Sequence, residues 1–280
     1  MLTRRHFLKA GLGAAGAVAG TCLYTWQVEP HWLEIVRRDL PIKGLAPQLA
    51  GKTLVQMSDL HIGPQVSDAY LIHTLNRVRD LQPDYIVMTG DWVSYRGDQT
   101  IAQMKNVLKS LPHGRIGTIG ILGNHDYGPT FGNMEVARKV CGTAEDAGVL
   151  VLRNEAARVG GLTFVGLDDY WSPRYDPEII IRRHQDDGGT LVLCHNPDAC
   201  DSPVWGNYAG WILAGHTHGG QCKPPFLPPP LLPVNNRRYT RGEFALTGNR
   251  KLYINRGVGH LIQVRFNVRP EVTLFQLTPA

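Results

Sequence analysis

Apolar residues along this chain come in short continuous runs separated by stretches with helical spacing. The clearest run is Thr53-Leu54-Val55-Gln56-Met57, which ends at Ser58-Asp59. A short run that is apolar at both alternate positions is the pattern of a strand covered on both faces. Tyr70, Leu71, Leu75 and Val78 then recur at helical intervals, Ser67 stands where an N-cap would, and Pro83 marks an exit, so a helix is predicted between them. The plan repeats with a strand over 84–88, a helix over 101–111, a strand over 116–122 and a helix over 134–147. Further strands are predicted over 149–152, 162–167, 191–194, 211–214, 252–254 and 272–277. Upstream, two short strands over 32–36 and 42–45 are expected to be separated by Pro41. Strands alternating with helices define an α/β fold. Neither a fixed-period repeat nor a linker divides the body, so 30–280 reads as one domain.

The segment before it reads as an address. Thr3-Arg4-Arg5-His6-Phe7-Leu8-Lys9 is followed by a small-residue apolar stretch over 10–20, the architecture of a secretory signal. The paired arginines before Phe-Leu-Lys resemble the twin-arginine export signal. Residues 1–29 are therefore expected to engage the twin-arginine translocation machinery and carry the protein across a bacterial inner membrane, to the periplasm or the outer face of that membrane. Cleavage and retention both stay open. The apolar run falls short of the roughly 20 residues that span a bilayer comfortably. No strong small-x-small site precedes Trp26, and Trp26 and Trp32 suit the headgroup level of a retained anchor.

A 280-residue chain that is 43% hydrophobic can bury a large core without disulfide or metal staples. Its sequence pI near 9.0 points toward polyanions, but Arg4, Arg5 and Lys9 belong to the export segment, and without them 26 basic residues face 24 acidic ones. Nucleic acid is not an expected partner, although whole-chain charge says nothing about a local basic patch. Five cysteines, odd in number and without a CxxC pair, read as small buried hydrophobes, with a Cys194–Cys200 bridge as the alternative. The biased segment Lys223 to Pro233, with six prolines, reads as a stiff loop. It directly follows the strongest motif in the chain, so it could also form an apolar lip at a site mouth.

Five clusters at or just beyond predicted strand ends carry the chemistry: Asp59-Leu60-His61, Gly90-Asp91, Gly123-Asn124-His125-Asp126, Cys194-His195-Asn196 and Gly215-His216-Thr217-His218-Gly219-Gly220. In open α/β sheets the loops beyond strand carboxyl ends converge on ligand sites. Asp59 and His61, like His216 and His218, are two apart, so at an extended strand end each pair would point one way. Gly90, Gly123 and Gly215 leave room for close backbone approach before a ligand. Asp168-Asp169 reads as surface acid or loop, and His113 and His184 as lone histidines. Arg256 could hold a substrate phosphate or pair with a core carboxylate, and His260 could line a pocket.

In this order the clusters closely resemble the calcineurin-like metallophosphoesterase superfamily, over residues from about 53 to 277. The resemblance implies a four-layer αββα sandwich, two mixed sheets flanked by helices, with a dinuclear metal site at strand carboxyl ends. It implies one divalent metal on Asp59, His61, Asp91 and His218, and a second on Asp91, Asn124, His195 and His216, with Asp91 bridging. Nitrogen and oxygen ligands without thiolate suit Mn, Fe or Zn. His125 would face the substrate and either protonate the leaving oxygen or stabilise the phosphoryl charge, while water activated between the metals attacks phosphorus. Ser94 stands where the phosphoprotein phosphatase branch carries a carboxylate behind this histidine, which disfavours that branch. Motifs such as His195-Asn196-Pro197-Asp198 and Arg256-Gly257-Val258-Gly259 bring the chain closer to bacterial phosphodiesterases with twin-arginine signals. Hydrolases of the lipid A precursor UDP-diacylglucosamine are similar. A phosphodiester substrate, lipid-linked or nucleotide-linked, is the expectation, with a phosphomonoesterase or a non-catalytic binding module as alternatives.

Overall fold

The computed structural model describes residues 4–280; Thr3 of the export motif lies outside them. Twelve strands form two six-stranded mixed sheets. The first contains β1 (Glu34–Ile42), β2 (Thr53–Met57), β3 (Tyr85–Thr89), β4 (Gly117–Ile121), β5 (Leu150–Val151) and β12 (Glu271–Pro279), in the order β1-β12-β2-β3-β4-β5. The second contains β6 (Glu155–Val159), β7 (Leu162–Gly166), β8 (Thr190–Leu193), β9 (Trp211–Ala214), β10 (Gly242–Ala245) and β11 (Lys251–Ile254), in the order β10-β11-β9-β8-β7-β6. In each, the central strands are parallel: β2, β3, β4 and β5 in one, β7, β8, β9 and β11 in the other.

Alternation along each strand sends neighbouring side chains to opposite layers. Leu54 of β2 and Val87 of β3 meet Phe164, Leu193 and Leu213 between the sheets. Val55, Ile86 and Met88 instead meet α2 (Asp68–Asp80), α3 (Asp98–Leu108) and α4 (Met134–Asp146) on the outer face. The outer face of the second sheet is covered more thinly, by α5 (Glu178–His184) and by loops bearing Trp205, Tyr208 and Tyr239. This is the expected αββα sandwich.

Three local differences have physical reasons. One strand, β1, runs through Pro41 where two were expected. It lies at the edge of its sheet and pairs only with β12, where a missing amide donor costs nothing. Strands β6 and β10 and helix α5 carry little apolar periodicity, and both strands are sheet edges, so burial did not shape their sequences. Ser67 sits at the N-cap of α2 in extended conformation but makes no side-chain capping bond.

Helix α1 (Arg4–Leu23) is exposed at every residue whose side chain is described, and helical turns continue it to His31. The whole run is long and apolar enough to cross a bilayer. Its root is fastened to the body: Arg265 donates its amide to Thr25 O at 2.9 Å, Gln263 Nε2 donates to Trp26 O at 3.0 Å, and the buried Glu29 accepts from the Val268 amide at 2.6 Å.

Candidate metal centre

Each signature residue lies just beyond a central parallel strand. Asp59 and His61 follow β2, Asp91 follows β3, Asn124 and His125 follow β4, His195 follows β8, and His216 and His218 follow β9. The first sheet thus contributes the oxygen donors with one candidate imidazole ligand, and the second contributes imidazoles only. The sheets are sewn together beneath them. Gln56 Nε2 donates to Ala214 O at 2.9 Å, and the His216 amide donates to Asp59 Oδ1 at 3.1 Å.

Two groups result, Asp59 with His61 and His218, and Asp91 with His195 and His216; within each, the potential ligand atoms all lie within 4.8 Å of one another. Asp91 faces both, its Oδ2 being 3.2 Å from His195 Nε2 and 3.6 Å from His61 Nε2. Asn124 Oδ1 is buried beside them with no hydrogen-bond partner among the described residues. The Nε2 atoms of His61 and His218 are 3.0 Å apart. A buried cluster of converging lone pairs with an orphaned carbonyl is costly without a cation, so the residues present fit a pair of metal ions.

The paired ligands face one way for a reason other than strand alternation. Asp59, His61, Asp91, His216 and His218 have φ of 53°, 49°, 54°, 71° and 50°, all in the left-handed region. Between Asp59 and His61, Leu60 turns into the core. Such conformations cost of order 1–3 kcal/mol each in non-glycine residues and persist where the surroundings over-determine them. Here the bonds Asp59 N to Gly90 O at 2.9 Å and His61 N to Asp91 O at 3.0 Å lock the turns together. A Cβ at Gly90 would stand 2.6 Å from Gly123 N and 2.8 Å from His195 Nδ1, which requires glycine there.

Outer partners set each imidazole's orientation. His195 Nδ1 points to Thr89 O at 2.7 Å, His216 Nε2 to Pro233 O at 2.8 Å and His61 Nδ1 to Ser94 Oγ at 3.0 Å. Ser94, in the place of the carboxylate of the phosphoprotein branch, therefore serves His61. Asp126, whose role the sequence left unread, accepts from the Gly123 and Val93 amides at 2.8 and 3.1 Å and braces the turn carrying Asn124. The fourth residue of its motif was the only signal for it.

Burial drives His61 and His216 down to about 3, so both are neutral lone-pair donors at ordinary pH. Burial, opposed by the His195 charge and reinforced by the Asp91 charge, pushes the Asp59 carboxyl up to about 7. Burial acts the other way on Asp91 and His195, but their attraction outweighs it: the Asp91 carboxyl is held well below its usual range and the His195 imidazole well above.

Above the two groups opens a cavity of about 590 Å³. His125, Asp91, His216 and His218 reach its base, and Phe131, Trp171, Leu231, Leu261, Ile262 and Val264 are among its walls. His125 is half-buried, its amide donating to Asp91 Oδ1 at 2.9 Å and its ring set edge-on to His61 and Phe131 at 5.1 Å from each. Trp171 packs edge-on against His216 at 4.7 Å, and its distance in sequence from every motif hid it. The lip expected from the proline-rich segment is present, through Pro230 to Pro233.

Arg256 and His260 are not among the cavity's lining residues. The Arg256 guanidinium is taken up by Glu271 and, at 2.9 Å, by Glu34. His260 is fully buried, its Nε2 donating to Gln65 O at 3.0 Å and its ring set edge-on to His31. The alternative in which Arg256 pairs with carboxylates is the one found. Asp168 and Asp169 are also buried, contrary to a surface reading: Asp168 accepts from Arg153 Nε at 2.9 Å, and Asp169 Oδ1 caps the Trp171 amide at 2.9 Å. All five cysteines are free, with Cys194 and Cys200 buried.

Two mixed sheets meeting at paired Asp/His groups define a two-metal phosphoesterase. The chain belongs to the calcineurin-like phosphoesterase family, whose model matches residues 52–220, and is a hydrolase of phosphoric esters. It is 31% identical over 285 aligned residues to phosphodiesterase YaeI of Escherichia coli K12, covering 99% of this chain and 100% of that one. It is 32% identical to the metallophosphoesterase YkuE of Bacillus subtilis, over 99% and 98% of the two chains. The UDP-2,3-diacylglucosamine pyrophosphatase LpxG of Chlamydia trachomatis is 26% identical over 96% of this chain and 98% of its own.

Proposed function

We propose that the chain is a phosphodiesterase of the outer face of a bacterial inner membrane, acting on a lipid-linked or nucleotide-linked phosphate ester. The observation that carries this reading is the pairing of a polar, doubly clustered base with apolar cavity walls. The base suits a phosphoryl group, and Phe131, Trp171, Leu261 and Ile262 suit an acyl or other apolar substituent. The names of YaeI and LpxG support a diester or anhydride of that kind, and the exposed α1 with its paired arginines supports export through the twin-arginine machinery. Residues 1–29 are then signal or anchor, and 30–280 the catalytic domain.

In this reading Asp59, His61, Asp91 and His218 hold one divalent cation, and Asp91, Asn124, His195 and His216 the other, Mn, Fe or Zn by donor type. Bound there, such a pair supplies an acidified water and neutralises phosphoryl charge. The protein's own part is positioning. Asp91 fixes the distance between the two groups, and its Oδ1 also holds the His125 amide. His125, on the open side of the base, gives a proton to the leaving ester oxygen. The apolar walls exclude bulk water around the phosphoryl group, which strengthens every charge interaction at the base.

The test is hydrolysis of bis(p-nitrophenyl) phosphate against the monoester p-nitrophenyl phosphate by the full chain with added Mn. Diester turnover should exceed monoester turnover. It should fall about 10²–10³-fold in His125→Ala and further in Asp91→Asn. Metal occupancy without turnover of either ester would overturn the reading, and preference for the monoester would replace it with a phosphomonoesterase.

A further inference from the structure

Apolar exposure among the described residues is concentrated in a few places. Among the described residues, the large hydrophobic side chains left exposed all belong to the N-terminal segment, the cavity wall or the proline-rich lip, apart from Leu150 and Ile179. Trp171, Leu231, Leu261 and Ile262 line the cavity, and Phe226, wholly exposed, and Leu227 stand on the part of the lip that leads to it, before Pro230. Apolar exposure concentrated around a cavity in this way marks an interaction site.

Hydrogen bonds join this rim to the root of α1. The segment 261–266 is the hinge: Gln263 and Arg265 bond Trp26 O and Thr25 O on one side. On the other, Gln221 Nε2 donates to Ile262 O and Val264 O at 3.0 Å, and the Lys223 amide donates to Phe266 O at 2.8 Å. The proline-rich lip is thus held against the point where a bilayer-length apolar helix leaves the body. The charge agrees. Arg237 and Arg238 are exposed beside the lip, Arg237 bonding Pro229 O at 3.0 Å.

We propose that the rim is a membrane-docking surface: the lip around Phe226 and Leu227 and the loop at Leu261 and Ile262 enter an anionic leaflet beside the root of α1, so that the cavity opens onto lipid headgroups. Apolar side chains on such surfaces settle about 5–10 Å into the headgroup and acyl boundary. Each nearby Lys or Arg adds roughly 1 kcal/mol of attraction to anionic lipid. The substrate class that follows is an amphiphile whose phosphoryl group lies at headgroup depth and reaches His125 without leaving the leaflet. This deepens the phosphodiesterase reading and rests on it for the chemistry, while the docking itself does not depend on turnover.

The experiment places a tryptophan probe in the full chain reconstituted in phosphatidylcholine/phosphatidylglycerol vesicles with and without brominated acyl chains. After subtraction of the wild-type signal, the added emission of Phe226→Trp should be quenched by the brominated lipid, and that of Ile179→Trp, on α5, should not. Equal response at the two positions overturns the proposal, as does a rim buried in a dimer that Phe226→Glu dissociates. The paired variant Phe226→Glu/Leu227→Glu should lose about tenfold or more of its turnover of a vesicle-embedded lipid phosphodiester, matching the loss of two buried apolar side chains. It should keep wild-type rates on bis(p-nitrophenyl) phosphate. Quenching at 226 without turnover of any ester would leave docking standing and sink the catalytic reading alone.

Discussion

The floor of the site and its rim are built by opposite means. The floor is five strand ends whose turns bond one another directly, from Asp59 N with Gly90 O to Ser94 N with Ile62 O at 3.0 Å, with Asp59, His61, Asp91, His216 and His218 held at positive φ and almost no exposure. The rim is a long irregular loop and a short one, held by a few bonds to their own carbonyls and presenting apolar side chains outward. A floor of that kind has one arrangement, because each strained turn is over-determined by its neighbour. A rim of that kind can change residue by residue without disturbing the turns below. In the function proposed above, chemistry belongs to the first region and choice of substrate to the second.

The comparison breaks most visibly where a small change in the floor reaches a candidate metal ligand. Ser94→Ala removes the partner of His61 Nδ1, and losses of this type lower metal affinity about 10–100-fold. Titration of the apo-protein with Zn against a chelator should show it, with little change in the melting temperature of the metal-free chain. Unchanged affinity would mean that His61 is oriented by packing alone.

A smaller effect separates the floor by pH. The Asp59 carboxyl, raised to about 7, keeps its proton below that pH, and the elevated His195 does likewise. Cation binding must expel these protons, so apparent affinity should weaken as pH falls below 7, by about tenfold per pH unit for each proton released. His61 and His216, already neutral down to about 3, add nothing to this slope. Chelator competition between pH 8 and 5.5 reads it; a flat profile would contradict the assignment of Asp59 as a protonated ligand.

The smallest effect belongs to the rim. Leu261 is 40% exposed on the cavity wall, and Leu261→Ser should raise KM for a lipid phosphodiester about fivefold, the worth of one partly buried side chain, with kcat unchanged. A fall in kcat instead would show that rim and floor are coupled.

Much of the floor was legible before any coordinates. Asp59, His61, Asp91, Asn124, His125, His195, His216 and His218 stand in short motifs beyond apolar runs, and strand polarity alone delivers such motifs to one edge of a sheet. Asp126 and Ser94 were harder, since bracing an amide or a ring nitrogen leaves no spacing pattern. Arg256 read as a phosphate holder or a carboxylate partner, since its fork matches either, and His260 as a pocket candidate because it follows the Arg256-Gly257-Val258-Gly259 motif. Their side chains turn the other way, toward Glu34 and Glu271 and toward Gln65. Trp171 could not be found at all, because its place depends on the Asp169 turn meeting a loop from another strand.

By itself, then, the sequence determined the alternation of strands and helices, the burial of the central strands on both faces, the set of metal-suited residues and the apolar N-terminal segment. Periodicity and residue chemistry are local properties and survive in one dimension. Only the tertiary structure decided that Asp91 faces both groups of ligands, that the ligand turns are left-handed, that Arg256 is spent on carboxylates, and that the lip, the 261–266 loop and the root of α1 form one surface. Each of these depends on which distant segments meet, and that is set by the packing of two sheets rather than by any neighbour in the chain.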